Sequence, residues 1–380
     1  MRYHALATDY DGTLAKDGQV EESTLDALQR LRASGRRLIM VTGRELDDLA
    51  RVFSHFELFE AIVGENGAVL FLPKTREERR LAESPPQEFV DLLRKRGVGP
   101  MSVGKSIVAT WRPHEVTVLK TIRELGLELQ VIFNKNAVMV LPTGVNKATG
   151  LTVALREIKL SPHNVVGIGD AENDHAFLRC CACAAAVANA LPTVKERADI
   201  VTARARGAGV VELIDMTLAD DLEQIEPRLT RHHVLLGWTG KDQEIRIKPY
   251  DESILITGTS GGGKSTMATG LLERLAEQGY QFCIVDPEGD YTTFEKAIVL
   301  GDPQRPPNIS ELMKVLEHPE ENVSVNMIGL ALEHRVGFFA SLLPHLEEMR
   351  SKTGRPHWLV LDEAHHLLPA PSGTVSTAVK

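Results

Sequence analysis

The sequence predicts an α/β protein: a parallel sheet carrying an inserted α/β block, followed by a second α/β domain. Three observations carry this reading. Apolar runs of strand length alternate with leucines at helical spacing, the pattern of a parallel sheet with right-handed crossovers. Acidic clusters follow two of those runs, at Asp9–Asp11 and at Asp170–Asp174. A glycine-rich loop, Gly258 to Thr266, lies between another apolar run and a helix. At 380 residues the chain is too long for one ordinary core, so two or three domains are expected.

The elements follow in order. Tyr3 to Ala7 reads as a short buried strand, and it runs into Thr8-Asp9-Tyr10-Asp11-Gly12-Thr13-Leu14. In extended chain, residues two apart point to one side, so Asp9 and Asp11 are expected to face one spot. Gly12 lets the backbone turn sharply and approach a ligand. Two carboxylates held this close repel unless a cation or proton lies between them, and a hard divalent ion such as Mg²⁺ suits oxygen ligands.

Leu25, Leu28 and Leu31 mark a helix that Gly35 stops. Arg37 to Val41 is a second buried strand, ending at Thr42-Gly43-Arg44. A helix over 45–54 and a strand near Ala61-Ile62-Val63 follow, and then Gly64-Glu65-Asn66-Gly67-Ala68, where Asn-Gly reads equally as a hairpin turn. Residues 73–86 are charged and contain prolines, which suggests a hinge or linker. Helices over 87–96 and 114–125 and strands near 106–111, 128–133 and 137–141 make the inserted block. Lys147 then opens an apolar helix, and Val165 to Ile168 is a buried strand ending in the second acidic cluster. Ligands of parallel sheets gather at the carboxyl ends of strands, where Asp9, Thr42 and Asp170 all lie.

These stretches resemble the four motifs of the haloacid dehalogenase (HAD) superfamily of phosphatases, in the Cof-like, type IIB cap branch. The resemblance covers about residues 3–215. It implies a HAD-like Rossmannoid core over 1–72 and 141–215, with a type II α/β cap over 73–140. It implies Asp9 as nucleophile, Asp11 as general acid and base, and Thr42 and Lys147 as partners of the phosphoryl group. Asp9, Asp11, Asp170, Asn173 and Asp174 would hold Mg²⁺, and Gly12, Gly43, Arg44 and Asn66 would face the substrate. The expected substrate is a small, sugar-phosphate-like metabolite.

Residues 216–232 are acidic and mixed and read as a connector, and 233–380 as a second domain. Glu244 to Ile247 alternates like a strand, and Ser253 to Thr257 reads as a buried one. The loop that follows fits a P-loop in its strand–loop–helix setting. Gly258, Gly261, Gly262, Gly263, Lys264, Ser265 and Thr266 would cradle ATP, with Ser265 on Mg²⁺. Gln281 to Val285 and His357 to Leu361 are further strands, ending in Asp286-Pro287-Glu288-Gly289-Asp290-Tyr291 and Asp362-Glu363-Ala364-His365. The latter resembles a Walker B sequence, which implies Asp362 as a Mg²⁺ partner and Glu363 as the residue that activates water. Together these motifs resemble the HerA/VirB4 group of DNA-translocating ATPases over about 234–370, implying a RecA-like domain and allowing a homo-oligomer. Only 17 residues follow Glu363, where that group carries further strands, its arginine finger and its sensor residues, so an incomplete ATPase is expected.

The net charge of −9 argues against a surface built for nucleic acid. No apolar run reaches membrane-spanning length. Four cysteines give no disulfide framework and suit the cytoplasm. The expectation is therefore a phosphatase fused to an ATP-binding module. Two alternatives stay open: a nucleic-acid end-processing phosphatase/kinase, and a subunit of a HerA-like translocase with a HAD accessory domain.

Overall fold

The computed structural model describes residues 1–250, 252–259 and 261–368. The described residues divide into two compact units, residues 2–228 and 229–368.

The first unit opens with β1 (Ala5–Thr8), α1 (Glu22–Ala33), β2 (Arg37–Val41), α2 (Leu46–Val52) and β3 (Ala61–Gly64). A turn leads to β4 (Val69–Leu72) and β5 (Glu77–Arg80). The inserted block comprises α3 (Gln87–Lys95), β6 (Ser102–Val103), β7 (Val108–Trp111), α4 (Glu115–Glu124), β8 (Leu129–Asn134) and β9 (Ala137–Pro142). The chain then returns through α5 (Lys147–Glu157), β10 (Val165–Gly169), α6 (His175–Cys180), β11 (Cys183–Ala186), α7 (Pro192–Lys195), β12 (Ile200–Val201) and α8 (Arg206–Asp220).

The main sheet has the order β12-β11-β10-β1-β2-β3-β4-β5. Strands β12 through β3 are parallel, while β4 and β5 are antiparallel. Every residue of β1 and β10 is buried, as expected of central strands covered on both faces. The strand order reverses between β1 and β10, which makes their carboxyl ends the switch-point crevice where parallel sheets bind ligands. The inserted block forms its own sheet, β6-β7-β9-β8, whose core includes Phe89, Leu93, Val118, Val138 and Val140.

Two expectations for this unit need correction. Residues 77–80, within the stretch expected to be a hinge, form β5 at the sheet edge. Charged side chains suit an exposed edge, where they discourage pairing with another chain. Residues 216–220, expected to begin a connector, are instead the end of α8; Leu213, Ile214 and Thr217 bury its inner face and keep the helix going.

The second unit contains the hairpin β13 (Val234–Trp238) and β14 (Glu244–Ile247), then α9 (Lys264–Glu277) and β15 (Phe282–Asp286). It continues with β16 (Ile298–Leu300), α10 (Ile309–Leu316), β17 (Val323–Asn326), α11 (Leu332–Thr353) and β18 (Trp358–Leu361). A parallel sheet runs in the order β16-β17-β15-β18. The expected strand over Ser253–Thr257 is not formed. That apolar segment pairs with no strand among the described residues, and Leu255 is 84% exposed. An apolar run suggests a strand, but only ladder hydrogen bonds to a neighbour make one.

Close approach of α5 to the sheet depends on Gly150, where a Cβ would lie 2.5 Å from Val63 Cγ1 and 2.6 Å from the Gly67 backbone. Gly150→Val is expected to destabilise the first unit by about 1–3 kcal/mol or more through overpacking. Urea denaturation measures this, and an unchanged midpoint would contradict the packing.

Candidate active site

The site is built where β1 and β10 end. Asp9 follows β1, and its N–H donates to Ile168 O at 3.0 Å, which fixes it beside β10. Asp170 follows β10, and Asp174 lies four residues on. Asp174 Oδ2 accepts the N–H groups of Asp170 (2.8 Å) and Ala171 (2.9 Å), so this carboxylate holds its own loop. Lys147 comes from the first turn of α5, whose start is fixed by the Asn146–Thr149 capping box. Its ammonium is fully buried, 2.5 Å from Asp9 Oδ1 and 2.6 Å from Asp174 Oδ1.

Oxygens of Asp9, Asp170 and Asp174 lie within 4.8 Å of one another. Burial raises the Asp9 pKa well above the carboxylate norm; Lys147 opposes this, and Asp174 and Asp170 add to it. Burial raises that of Asp170 as well. For Lys147, burial works against the charge, but the Asp174 and Asp9 carboxylates outweigh it and keep the ammonium protonated.

Gly12 turns the chain with φ of +86°, and a Cβ there would lie 2.5 Å from Asp170 Oδ2. Thr42 is buried, and its Oγ1 accepts the Arg44 N–H at 3.1 Å, leaving its hydroxyl proton uncommitted among the described residues. Asn66 turns with φ of +59° between β3 and β4, and its buried Oδ1 accepts from Asn173 Nδ2 at 2.8 Å. It is thus both the hairpin turn and a side chain of the site. Gly43 lies beside Asn66 and the Met139 thioether.

Asp11 departs from expectation. Its carboxylate is not in the convergent group but is held by Arg44, Nε to Oδ2 and Nη2 to Oδ1, both at 2.7 Å. The extended chain ends at Thr8, and the tight turn over 10–15 breaks the two-residue alternation that would have aligned Asp11 with Asp9. Arg44 also bonds Asp48 at 2.6 Å.

In the second unit, α9 begins at Lys264 after Gly263 in the left-handed region, and Ser265 and Thr266 occupy its exposed first turn. Gly261 also has positive φ, Gly262 N–H donates to Thr259 O at 3.1 Å, and Lys264 Nζ reaches the carbonyls of Gly258 (3.2 Å) and Thr259 (3.3 Å). Asp362 and Glu363 follow β18. No hydrogen bond or ion pair among the described residues joins them to the loop.

A family model described as haloacid dehalogenase-like hydrolase matches residues 6–117 and 118–214, more than half of the sequence. The chain belongs to the haloacid dehalogenase-like hydrolases. The model of the central domain of helicase HerA matches residues 230–360. Phosphoglycolate phosphatase 2 of Saccharolobus solfataricus is 32% identical over 224 residues, covering 56% of this chain and 92% of that protein. The phosphoglycolate phosphatase of Methanothermobacter thermautotrophicus is 29% identical over 218 residues, covering 55% and 96%. Among solved structures, a Thermoplasma acidophilum protein matches with a TM-score of 0.51 at 16% identity, covering 57% of this chain and 98% of that one. A HAD/Cof-like hydrolase from Plasmodium vivax matches with a TM-score of 0.51 at 18% identity, covering 58% and 97%. The HAD and HerA resemblances and the fold class expected from the motifs hold, and the chemistry class is phosphoric monoester hydrolysis.

The acidic group fits a hard divalent cation, since its donors are carboxylate oxygens, and Asn173 Oδ1, in the same loop, is buried without a hydrogen-bond partner among the described residues. Sequence reasoning missed three residues. Lys135, at the β8–β9 turn, places Nζ 2.8 Å from Asp170 Oδ2. Met139, in β9, sets its sulfur 3.6 Å from Asn66 Nδ2. Glu65, buried, accepts the N–H groups of Lys105, Ser106 and Ile107 at 2.7–3.1 Å and so ties the core to the inserted block. No motif spacing marks these, because the contacts join segments far apart in sequence. No described helix is long and apolar enough to cross a membrane.

Lys147→Met strips a buried charge from two buried carboxylates. It is expected to cost about 3–5 kcal/mol of stability in metal-free protein at neutral pH, measured by urea denaturation. A cost under about 1 kcal/mol would contradict the buried pairing.

Proposed function

We propose that the first unit is a Mg²⁺-dependent phosphatase that hydrolyses 2-phosphoglycolate or a close relative through an aspartyl-phosphate. The observation that carries this is the buried Lys147 ammonium between Asp9 and Asp174, with Asp170 converging on the same point. The substrate assignment is supported by the names of the relatives, which span nearly their full length in the match.

Asp9 Oδ attacks phosphorus, and the bond from phosphorus to the ester oxygen breaks. Asp11 gives the leaving oxygen a proton. It then takes one from the water that attacks the aspartyl-phosphate, releasing inorganic phosphate and restoring Asp9. Arg44, bonded to both Asp11 oxygens, fixes the position of that carboxyl group. Lys147 and the Thr42 hydroxyl meet the charge on the transferred phosphoryl oxygens. Asp9 and Asp170, with Asp174 and Asn173 beside them, would hold the cation, which supplies further charge neutralisation. The inserted block acts as a lid, with Met139 and Lys135 facing the site.

We further propose that the second unit binds ATP through Gly258–Thr266, with Lys264 and Ser265 meeting the phosphates and Mg²⁺ and with Asp362 and Glu363 serving hydrolysis. The HerA-domain match supports this. It also favours a nucleoside-triphosphatase over a kinase role for that unit.

Asp9→Asn is expected to abolish hydrolysis of p-nitrophenyl phosphate while leaving ATP binding intact. Lys264→Ala is expected to do the reverse, by calorimetric ATP titration and phosphatase assay. Unchanged turnover in Asp9→Asn would overturn the nucleophile assignment.

A further inference from the structure

The turn between β8 and β9 carries a cation into the site. Lys135 sits there at φ of +54°, and its own N–H donates to Glu172 Oε2 at 3.2 Å, which docks the turn on the loop after β10. Its ammonium meets Asp170 Oδ2 at 2.8 Å and occupies space left by the missing side chain of Gly12, whose Cβ would lie 3.0 Å from Nζ. The neighbouring cations are otherwise engaged. Lys147 holds Asp9 and Asp174, and Arg44 holds Asp11 and Asp48. Lys135 holds Asp170 alone among the described residues, and its side chain is half exposed.

Asp170 belongs to the group that fits a divalent cation, so a bound ion competes with Lys135 for the same carboxylate. The displaced ammonium remains at the tip of the β8–β9 turn, beside the acidic group that Asp170 shares with Asp9 and Asp174. We propose that Lys135 is the specificity-determining residue of this enzyme, and that it binds a second anionic group on the substrate, the carboxylate of a short phosphorylated hydroxy acid. This rests on the phosphatase reading above. A compact ammonium on a flexible stem suits a carboxylate a few bonds from phosphorus.

The test compares the full-length chain with Lys135→Met and Lys135→Arg on 2-phosphoglycolate and on p-nitrophenyl phosphate, which has no carboxylate. A lost charge-assisted hydrogen bond is worth roughly tenfold to a hundredfold in affinity. Lys135→Met is therefore expected to raise KM for 2-phosphoglycolate by about tenfold or more, with KM for p-nitrophenyl phosphate within about threefold of wild type. Lys135→Arg should recover most of the difference. Calorimetric Mg²⁺ affinity without substrate should hold or rise in Lys135→Met. Equal losses on both substrates, no loss on either, or a fall in Mg²⁺ affinity would each overturn the proposal. Wild type that cleaves p-nitrophenyl phosphate but not 2-phosphoglycolate would overturn it while sparing the phosphatase reading. Wild type that cleaves neither would overturn both.

Discussion

The buried ammonium of Lys147 constrains everything around it. A charge out of water is tolerated only when paired and hydrogen-bonded, and Lys147 meets Asp9 on one side and Asp174 on the other. The reverse also holds: three carboxylates this close need positive charge among them. The local folding follows from that demand. The capping box fixes where α5 starts, and hence where the ammonium emerges. Asp174 grips the two N–H groups after β10, and Asp9 is tied to Ile168 across the sheet. Three segments far apart in sequence thus converge at the switch point of one parallel sheet.

Much of this was legible in the chain. Strands β1, β2, β3 and β10 are short apolar runs flanked by turn residues, and a central parallel strand has little other way to be written. Lys147 was legible only through the motif order, since a lysine in a first helical turn is ordinarily solvated. What failed did so where local pattern had to stand in for three-dimensional pairing. Asp11 was expected beside Asp9 because extended chain alternates, but the turn through Gly12 ends the alternation and Arg44 claims the carboxylate. Ser253–Thr257 has the composition of a strand and lacks a ladder among the described residues. The charged 77–80 segment reads as a linker until β4 offers it an edge to pair with. Lys135 was invisible, because a lysine between two strands shows its turn but not what the turn touches.

The two units present their ligand-binding features differently. In the first, the acidic group is enclosed by core strands, α5 and the inserted block, and Glu65 latches that block to the core through three backbone N–H groups. Burial pushes the Glu65 carboxyl above its ordinary pKa, an effect those three bonds oppose. In the second, the glycine-rich loop is exposed and Lys264 turns back onto the loop's own carbonyls. Enclosure strengthens every electrostatic interaction inside a site, and it is the first unit that has it.

The central claim is that Asp9 itself takes the phosphoryl group. The direct test is to quench the enzyme with acid during steady turnover of 2-phosphoglycolate or p-nitrophenyl phosphate, reduce with borohydride, and sequence the peptides by mass spectrometry. An aspartyl-phosphate would be reduced to homoserine at position 9, and the account predicts that conversion there and not at Asp11, Asp170 or Asp174. An active enzyme that yields no modified aspartate, or one modified elsewhere, would contradict it.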